Sequence, residues 1–198
     1  MPDSDPRAAR VEAQRKRILD AAQHCFIEHG FHGASMASIA ETADMSAGLI
    51  YRYFENKSAI ILAIVEEQLV LLREEISLSD RPDLPTLIAD NYARSCGARR
   101  GMNAALLLEI SAEATRDPQI AAALDDYDAT VRQALCDWLA RDPESGGHGL
   151  PAGLAPRRAL MLQCLFEGLK LRETREPGLD RGLLLAALQD VMPGIVEP

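Results

Sequence analysis

Side chains able to grip a phosphate oxygen or a base edge gather in one short stretch of this 198-residue chain. Ser35, Ser38, Ser46, Tyr51, Arg52, Tyr53 and Lys57 fall there, interleaved with Ala37, Ala47, Gly48 and Leu49. Hydroxyls donate to phosphate oxygens, and guanidinium or ammonium groups do so with charge assistance. Ala47 and Gly48 do a different job: side chains this small let a helix approach base edges closely in a major groove. Elsewhere no nucleophile with its base, no metal-ligand set and no phosphate loop can be assembled. The chemistry on offer is binding, so neither an enzyme nor a cofactor is expected.

Those residues need two short helices to present them. Ser35 is placed to cap the first by accepting a first-turn backbone N–H, and Ile39, Ala40 and Ala43 form its apolar stripe. Asp44 and Met45 break the run. Ser46 caps a second helix whose inward residues are Ile50 and Phe54, which leaves Ala47, Gly48, Leu49, Tyr51, Arg52 and Tyr53 on or near the open side. Two capped helices joined by a tight turn are the layout of a helix-turn-helix, whose second helix enters the major groove of double-stranded DNA.

The surrounding segment, RILDAAQHCFIEHGFHGASMASIAETADMSAGLIYRYFENKSAIILAIVEEQL over residues 17–69, resembles the DNA-binding domain of the tetracycline-repressor (TetR) family of bacterial transcription regulators. Ile18, Ala21, Ala22, Phe26, Gly30, Phe31, Ser35, Ile39, Ala40, Ser46, Gly48, Tyr51, Tyr53, Phe54, Asn56 and Lys57 carry the likeness. Met36 and the pair Ser58 and Ala59 depart from the usual pattern. The resemblance covers the first third of the chain. It implies phosphate contacts from Tyr51, Tyr53 and Lys57 and base contacts from Ala47, Gly48 and Leu49. It also implies a helical C-terminal domain that dimerises and holds a small effector.

Composition sets bounds without pointing to DNA. The formal net charge is −9, which argues against a nucleic-acid partner until it is located. Residues 1–60 carry seven Lys and Arg against eight Asp and Glu, so residues 61–198 hold the remaining −8. Arg7, Arg10, Arg15, Lys16 and Arg17 cluster early in the chain. The DNA face is thus a local patch on an acidic protein, and its binding should be strongly salt-sensitive. Cys25, Cys96, Cys136 and Cys164 are too dispersed for a CxxC site, and nothing resembles a secretory signal, so a cytoplasmic protein is expected. No apolar run approaches the roughly 20 residues of a membrane span.

The rest of the chain reads as helices separated by clear punctuation, an all-α fold of about nine helices. One covers residues 11–29 and stops at Gly30. A long one over 57–77 extends on the order of 30 Å at about 1.5 Å per residue, and others cover 85–98, 102–114, 119–141, 157–174 and 179–191. Residues 142–156, DPESGGHGLPAGLAP, form a loop. The expected organisation is a DNA-binding domain over 1–56 and a ligand-binding and dimerisation domain over 57–198. The last two helices are apolar nearly all round, which suits a fully internal position or an interface. The family resemblance favours a four-helix interface between two copies, with Leu160, Cys164, Gly168, Leu184, Ala187 and Leu188 at its seam.

The four helices over 85–98, 102–114, 119–141 and 157–174 are the expected sensor. Asn91, Tyr92, Ser95, Met102, Leu106, Glu109, Ile110, Glu113, Tyr127, Val131, Trp138 and Phe166 bring polar and aromatic groups among core positions, as a ligand pocket requires. Glu109 stands out in the run LLLEI, with Glu113 one turn on. Inward-facing, it would need Arg94, Arg132 or a cationic ligand as partner; a solvated helix edge explains it equally well. His24, Cys25, His29 and His32 lie close enough to suggest a soft metal, but Cys25 is on the core stripe and His29 suits a helix C-terminus, so no metal is expected. The function expected is a homodimeric repressor released from a palindromic operator by a bulky, mainly apolar effector, cationic if Glu109 faces it. The alternatives are an activator, or a DNA-binding protein without an effector.

Overall fold

The computed structural model describes residues 6–77, 83–94 and 103–197, and all regular structure among them is helical. In chain order the elements are α1 (Pro6–Gly33), α2 (Met36–Thr42), α3 (Ala47–Ile50), α4 (Lys57–Ser77), α5 (Leu84–Arg94), α6 (Ala104–Ala114), α7 (Pro118–Ala140), α8 (Ala155–Arg175), α9 (Arg181–Val191) and α10 (Pro193–Val196). The expected helices appear in the expected order. The single turn α10, started by Pro193, is an addition, and a 3-10 turn at Pro143–Ser145 lies within the Gly/Pro-rich loop. α1 starts well before residue 11, because nothing between Arg7 and Arg17 breaks a helix. At Gly30 the backbone turns to φ 71°, ψ 163°, a left-handed excursion that glycine makes without Cβ strain.

Contacts group the chain into two compact units. The first comprises Met1–Glu67 with Ala105–Leu124, and the second Gln68–Ala104 with Asp125–Pro198. The expected boundary lay after residue 56; in this grouping the first unit extends to Glu67, so the first half of α4 packs with it. The first unit buries Ile18, Leu19 and Phe26 of α1, Ile39 of α2, Ile50 of α3, Ile60, Ile61 and Ile64 of α4, Leu106 and Ile110 of α6, and Ile120 of α7. Each such side chain contributes about 1.5–3 kcal/mol through removal from water. Ion pairs from Arg15 to Glu66 and from Lys16 to Glu67 join α1 to α4 at the surface and add little.

The second unit has its own core, built from Ala89, Tyr92, Trp138, Leu139, Leu150, Ala159, Leu162, Leu184, Leu188 and Met192, with Phe166 packed at its edge. α5 lies against α9. Polar links tie α5 both to the end of α8 and to α9. The Tyr92 hydroxyl donates to the Glu176 carbonyl at 2.9 Å, and Arg181 bonds the Asp90 carboxylate. Burial, with Glu176 and Glu173 adding to it, raises the Tyr92 phenol above its ordinary pKa.

Candidate nucleic-acid interface

The turn between α2 and α3 is fixed at both ends by its own sequence. Ser35 accepts the Ser38 N–H at 3.0 Å while the Ser38 hydroxyl accepts the Ser35 N–H at 2.8 Å, a reciprocal capping box. At the other end of α2, Asp44 takes φ 50°. Its N–H donates to the Glu41 carbonyl and that of Met45 to the Ala40 carbonyl, which closes the helix as a Schellman motif. Arg17 of α1 reaches across and donates to both the Asp44 carbonyl and its carboxylate, at 3.2 and 3.1 Å. Ser46 then caps α3 by accepting the Leu49 N–H at 3.3 Å.

This arrangement leaves the start of α3 open. Ala47 and Gly48 are exposed, Leu49 is half-buried, and Ile50 and Phe54 point into the core. A Cβ on Gly48 would meet no protein atom within 4 Å, so nothing inside the molecule requires glycine there. α3 itself is a single turn, shorter than the sequence suggests. Tyr51, Arg52 and Tyr53 continue it as tightened turns, with the Arg52 N–H donating to the Leu49 carbonyl and that of Tyr53 to the Ile50 carbonyl. Tyr51 and Arg52 are exposed beside the open end, and so are Ser35, Ala37 and Ser46.

Three residues expected to face DNA are at least partly engaged inside the unit. The Ser38 hydroxyl belongs to the capping box. The Tyr53 hydroxyl donates to the Gln14 side chain of α1. Lys57 directs Nζ inward, to the Phe31 carbonyl at 2.5 Å and the Ala34 carbonyl at 2.7 Å, and lies 4.5 Å from the Phe31 ring centroid. Burial lowers its pKa below the usual lysine range, against the opposing influence of Glu113. Two of its three protons are thereby committed to these carbonyls.

The residues expected to line one ligand pocket divide between the units. In the first, Leu106 and Ile110 are fully buried, and the two carboxylates turn to the end of α1: Glu109 accepts the Phe31 N–H at 2.7 Å, and Glu113 pairs with His32 at 3.2 Å. The sequence showed a carboxylate among apolar neighbours but gave no sign that its partner was a backbone amide 78 positions earlier. In the second, Tyr92 and Trp138 are core and Phe166 packs beside them, while Asn91 is exposed and Tyr127 and Val131 are half-buried. Ser95 and Met102 lie outside the described residues.

The second unit carries an open cleft of about 700 Å³ that composition did not single out. It is lined by Leu69, Asp126, Ala129, Thr130, Gln133, Ala134 and Asp137. Nearby, a polar cluster bridges α7 and α8, with the Arg132 Nε donating to the buried Gln163 at 2.9 Å. Burial raises the Asp128 pKa, and Glu167 adds to the shift.

Of the expected dimer seam, Leu160, Cys164, Gly168 and Ala187 are exposed as an interface requires, but Leu184 and Leu188 are buried in their own unit's core. The large apolar side chains that α9 leaves in solvent are instead Leu183 and Val191, joined on α8 by Met161 as well as Leu160. The sequence of α9 is apolar at successive positions, so its period did not say which leucine faced which way. Cys25 is buried with Sγ 3.3 Å from the Thr42 hydroxyl. Among the described residues no helix is long and apolar enough to cross a membrane.

Comparison with known proteins agrees with this geometry. Residues 18–64 match the profile of bacterial regulatory proteins of the tetR family, and residues 86–196 that of the C-terminal part of BetI-type transcriptional repressors. The HTH-type transcriptional regulator UidR of Escherichia coli strain K12 is 34% identical over 148 residues, covering 72% of this chain and 73% of UidR. The structure of Salmonella enterica GusR superposes with a TM-score of 0.73 at 26% identity, over 93% of this chain and 95% of that one. A transcriptional regulator from Saccharomonospora viridis, solved in complex with choline, shares the fold with a TM-score of 0.65 at 22% identity, over 95% of this chain and 100% of that one. A capped helix-turn-helix with a bare N-terminal end on its second helix, followed by a helical unit matching the BetI-type C-terminal profile, places this chain in the tetR family of bacterial regulatory proteins, DNA-binding transcription regulators and not enzymes.

Proposed function

We propose that this protein is a cytoplasmic homodimeric repressor that reads a palindromic operator through Ala47, Gly48 and Leu49, holds flanking phosphates with Tyr51, Arg52 and the remaining Lys57 proton, and leaves DNA when an organic cation binds its C-terminal unit. The observation that carries the DNA reading is the open end of α3, where Gly48 has no internal reason to be glycine. Two copies join through Leu160, Met161, Cys164, Gly168, Leu183, Ala187 and Val191. Family regulators act as dimers, and one short recognition helix contacts too few bases for specificity.

The effector reading moves with the carboxylates. Glu109 and Glu113 are engaged with α1, so a cation takes the α7 cleft instead, where Asp126 and Asp137 supply negative charge and Leu69, Ala129 and Ala134 supply apolar wall. Among the described residues no basic group lines that cleft, which disfavours anions. The choline held by the Saccharomonospora viridis protein supports a small organic cation as a ligand this fold accommodates. The test is release of the protein from DNA upstream of its own gene by tetraalkylammonium ions and by neutral isosteres of equal size. The cations should act at lower concentration, and Asp126→Asn with Asp137→Asn should remove the difference. Equal potency of cation and isostere on the unmodified protein refutes the cationic effector and leaves the DNA reading intact.

A further inference from the structure

The junction between α1 and α2 is held by side chains from two other helices. Gly30, at φ 71°, takes Phe31 out of the α1 helical pattern, so its N–H needs another acceptor. Glu109 of α6 supplies it, with Oε2 at 2.7 Å. The fit is close, since a Cβ on Gly30 would lie 3.4 Å from that same oxygen. On the other side, Lys57 of α4 takes the Phe31 and Ala34 carbonyls and covers the Phe31 ring. Glu113, one turn after Glu109, pairs with His32. The residue after Ala34 is Ser35, the cap of α2. The backbone that launches the helix-turn-helix is thus clasped between an anion from α6 and a cation from α4.

We infer that Glu109 is a positioning residue for DNA binding: by accepting the Phe31 N–H it ties α6 to the start of the helix-turn-helix and holds that motif in its operator-reading geometry. The inference rests on the reading of this chain as a DNA-binding regulator. It gives α6 a direct link to the DNA-reading motif, since displacing α6 withdraws the carboxylate and leaves a part-buried N–H without its acceptor, a state of high cost.

The test uses the full-length dimer and a duplex selected by the wild-type protein from random-sequence DNA. Failure of the wild type to select any sequence would refute the regulator reading itself, separately from this inference. Glu109→Gln keeps an oxygen acceptor at the same reach and should bind within about threefold of wild type. Glu109→Leu keeps the size but has no acceptor, and should bind about tenfold more weakly with an unchanged dependence on salt, because no phosphate contact is lost. Exchange of the Phe31 amide with solvent, read by NMR, should be slow in wild type and in Glu109→Gln. If Glu109→Leu does not fold, that exchange measurement decides alone. Wild-type affinity in Glu109→Leu, equal losses in both variants, or rapid Phe31 exchange in the wild type would each overturn the assignment.

Discussion

Leu183 and Leu184 are chain neighbours on α9 that face opposite ways, Leu183 63% exposed and Leu184 7% exposed. Leu184 closes the core of the C-terminal unit, and Leu183 stands on the face proposed for the second copy. Leu183→Glu should therefore leave the monomer folded but convert the dimer to monomer in sedimentation, with operator affinity lost. Leu184→Glu should lower the melting temperature sharply, because an unpaired charge in a core costs several kcal/mol. A dimeric Leu183→Glu variant would move the interface elsewhere.

Gly48→Ala separates fold from DNA contact. Its added methyl meets no protein atom, and alanine is a better helix former than glycine by about 1 kcal/mol in a helix interior. The melting temperature should be unchanged or raised. Operator affinity should fall about tenfold through crowding against base edges, a loss of about 1.4 kcal/mol. Undiminished affinity would show that α3 does not approach the bases at this residue.

Lys57→Met should weaken both stability and DNA binding. Two carbonyls lose their ammonium partner, which should destabilise the N-terminal unit by about 1–3 kcal/mol in thermal unfolding. The remaining proton predicts one phosphate contact, so the slope of log affinity against log salt should become shallower by about one unit. Loss of stability with an unchanged slope would confine Lys57 to its structural role.

Asp128 sets a pH dependence. Burial and Glu167 raise its folded pKa above 3.8, so the folded state holds the proton longer than the unfolded chain does. Its favourable contribution is complete below pH 3.8 and is lost as pH rises through the folded value. Asp128→Asn should accordingly raise the melting temperature at pH 7, with the gap to wild type narrowing as pH falls towards 4. A gap independent of pH would assign the effect to something other than this carboxyl.

The helix order and the helix-turn-helix were legible in the sequence because their determinants are local. Ser35 and Ser46 cap through residues three positions away, and Gly30 marks a break wherever it stands. What escaped depended on pairs distant in sequence. Arg17 pins Asp44, Tyr53 is engaged by Gln14, and Glu109 caps Phe31, none of which leaves a trace in spacing. The facing of α9 escaped for a different reason. Leu183, Leu184 and Leu185 offer apolar side chains in every direction, so only tertiary packing chooses between them.

The central claim is sequence-specific binding of DNA by a two-fold pair of α3 helices, and footprinting of the wild-type protein on the DNA upstream of its own gene tests it most directly. The account predicts two symmetric protected half-sites with centres about one helical turn, 10–10.5 base pairs, or a multiple of it apart. It also predicts that a Gly48→Ala variant weakens protection of both together. Uniform weak protection, no stronger than on scrambled DNA at the same salt, would contradict it.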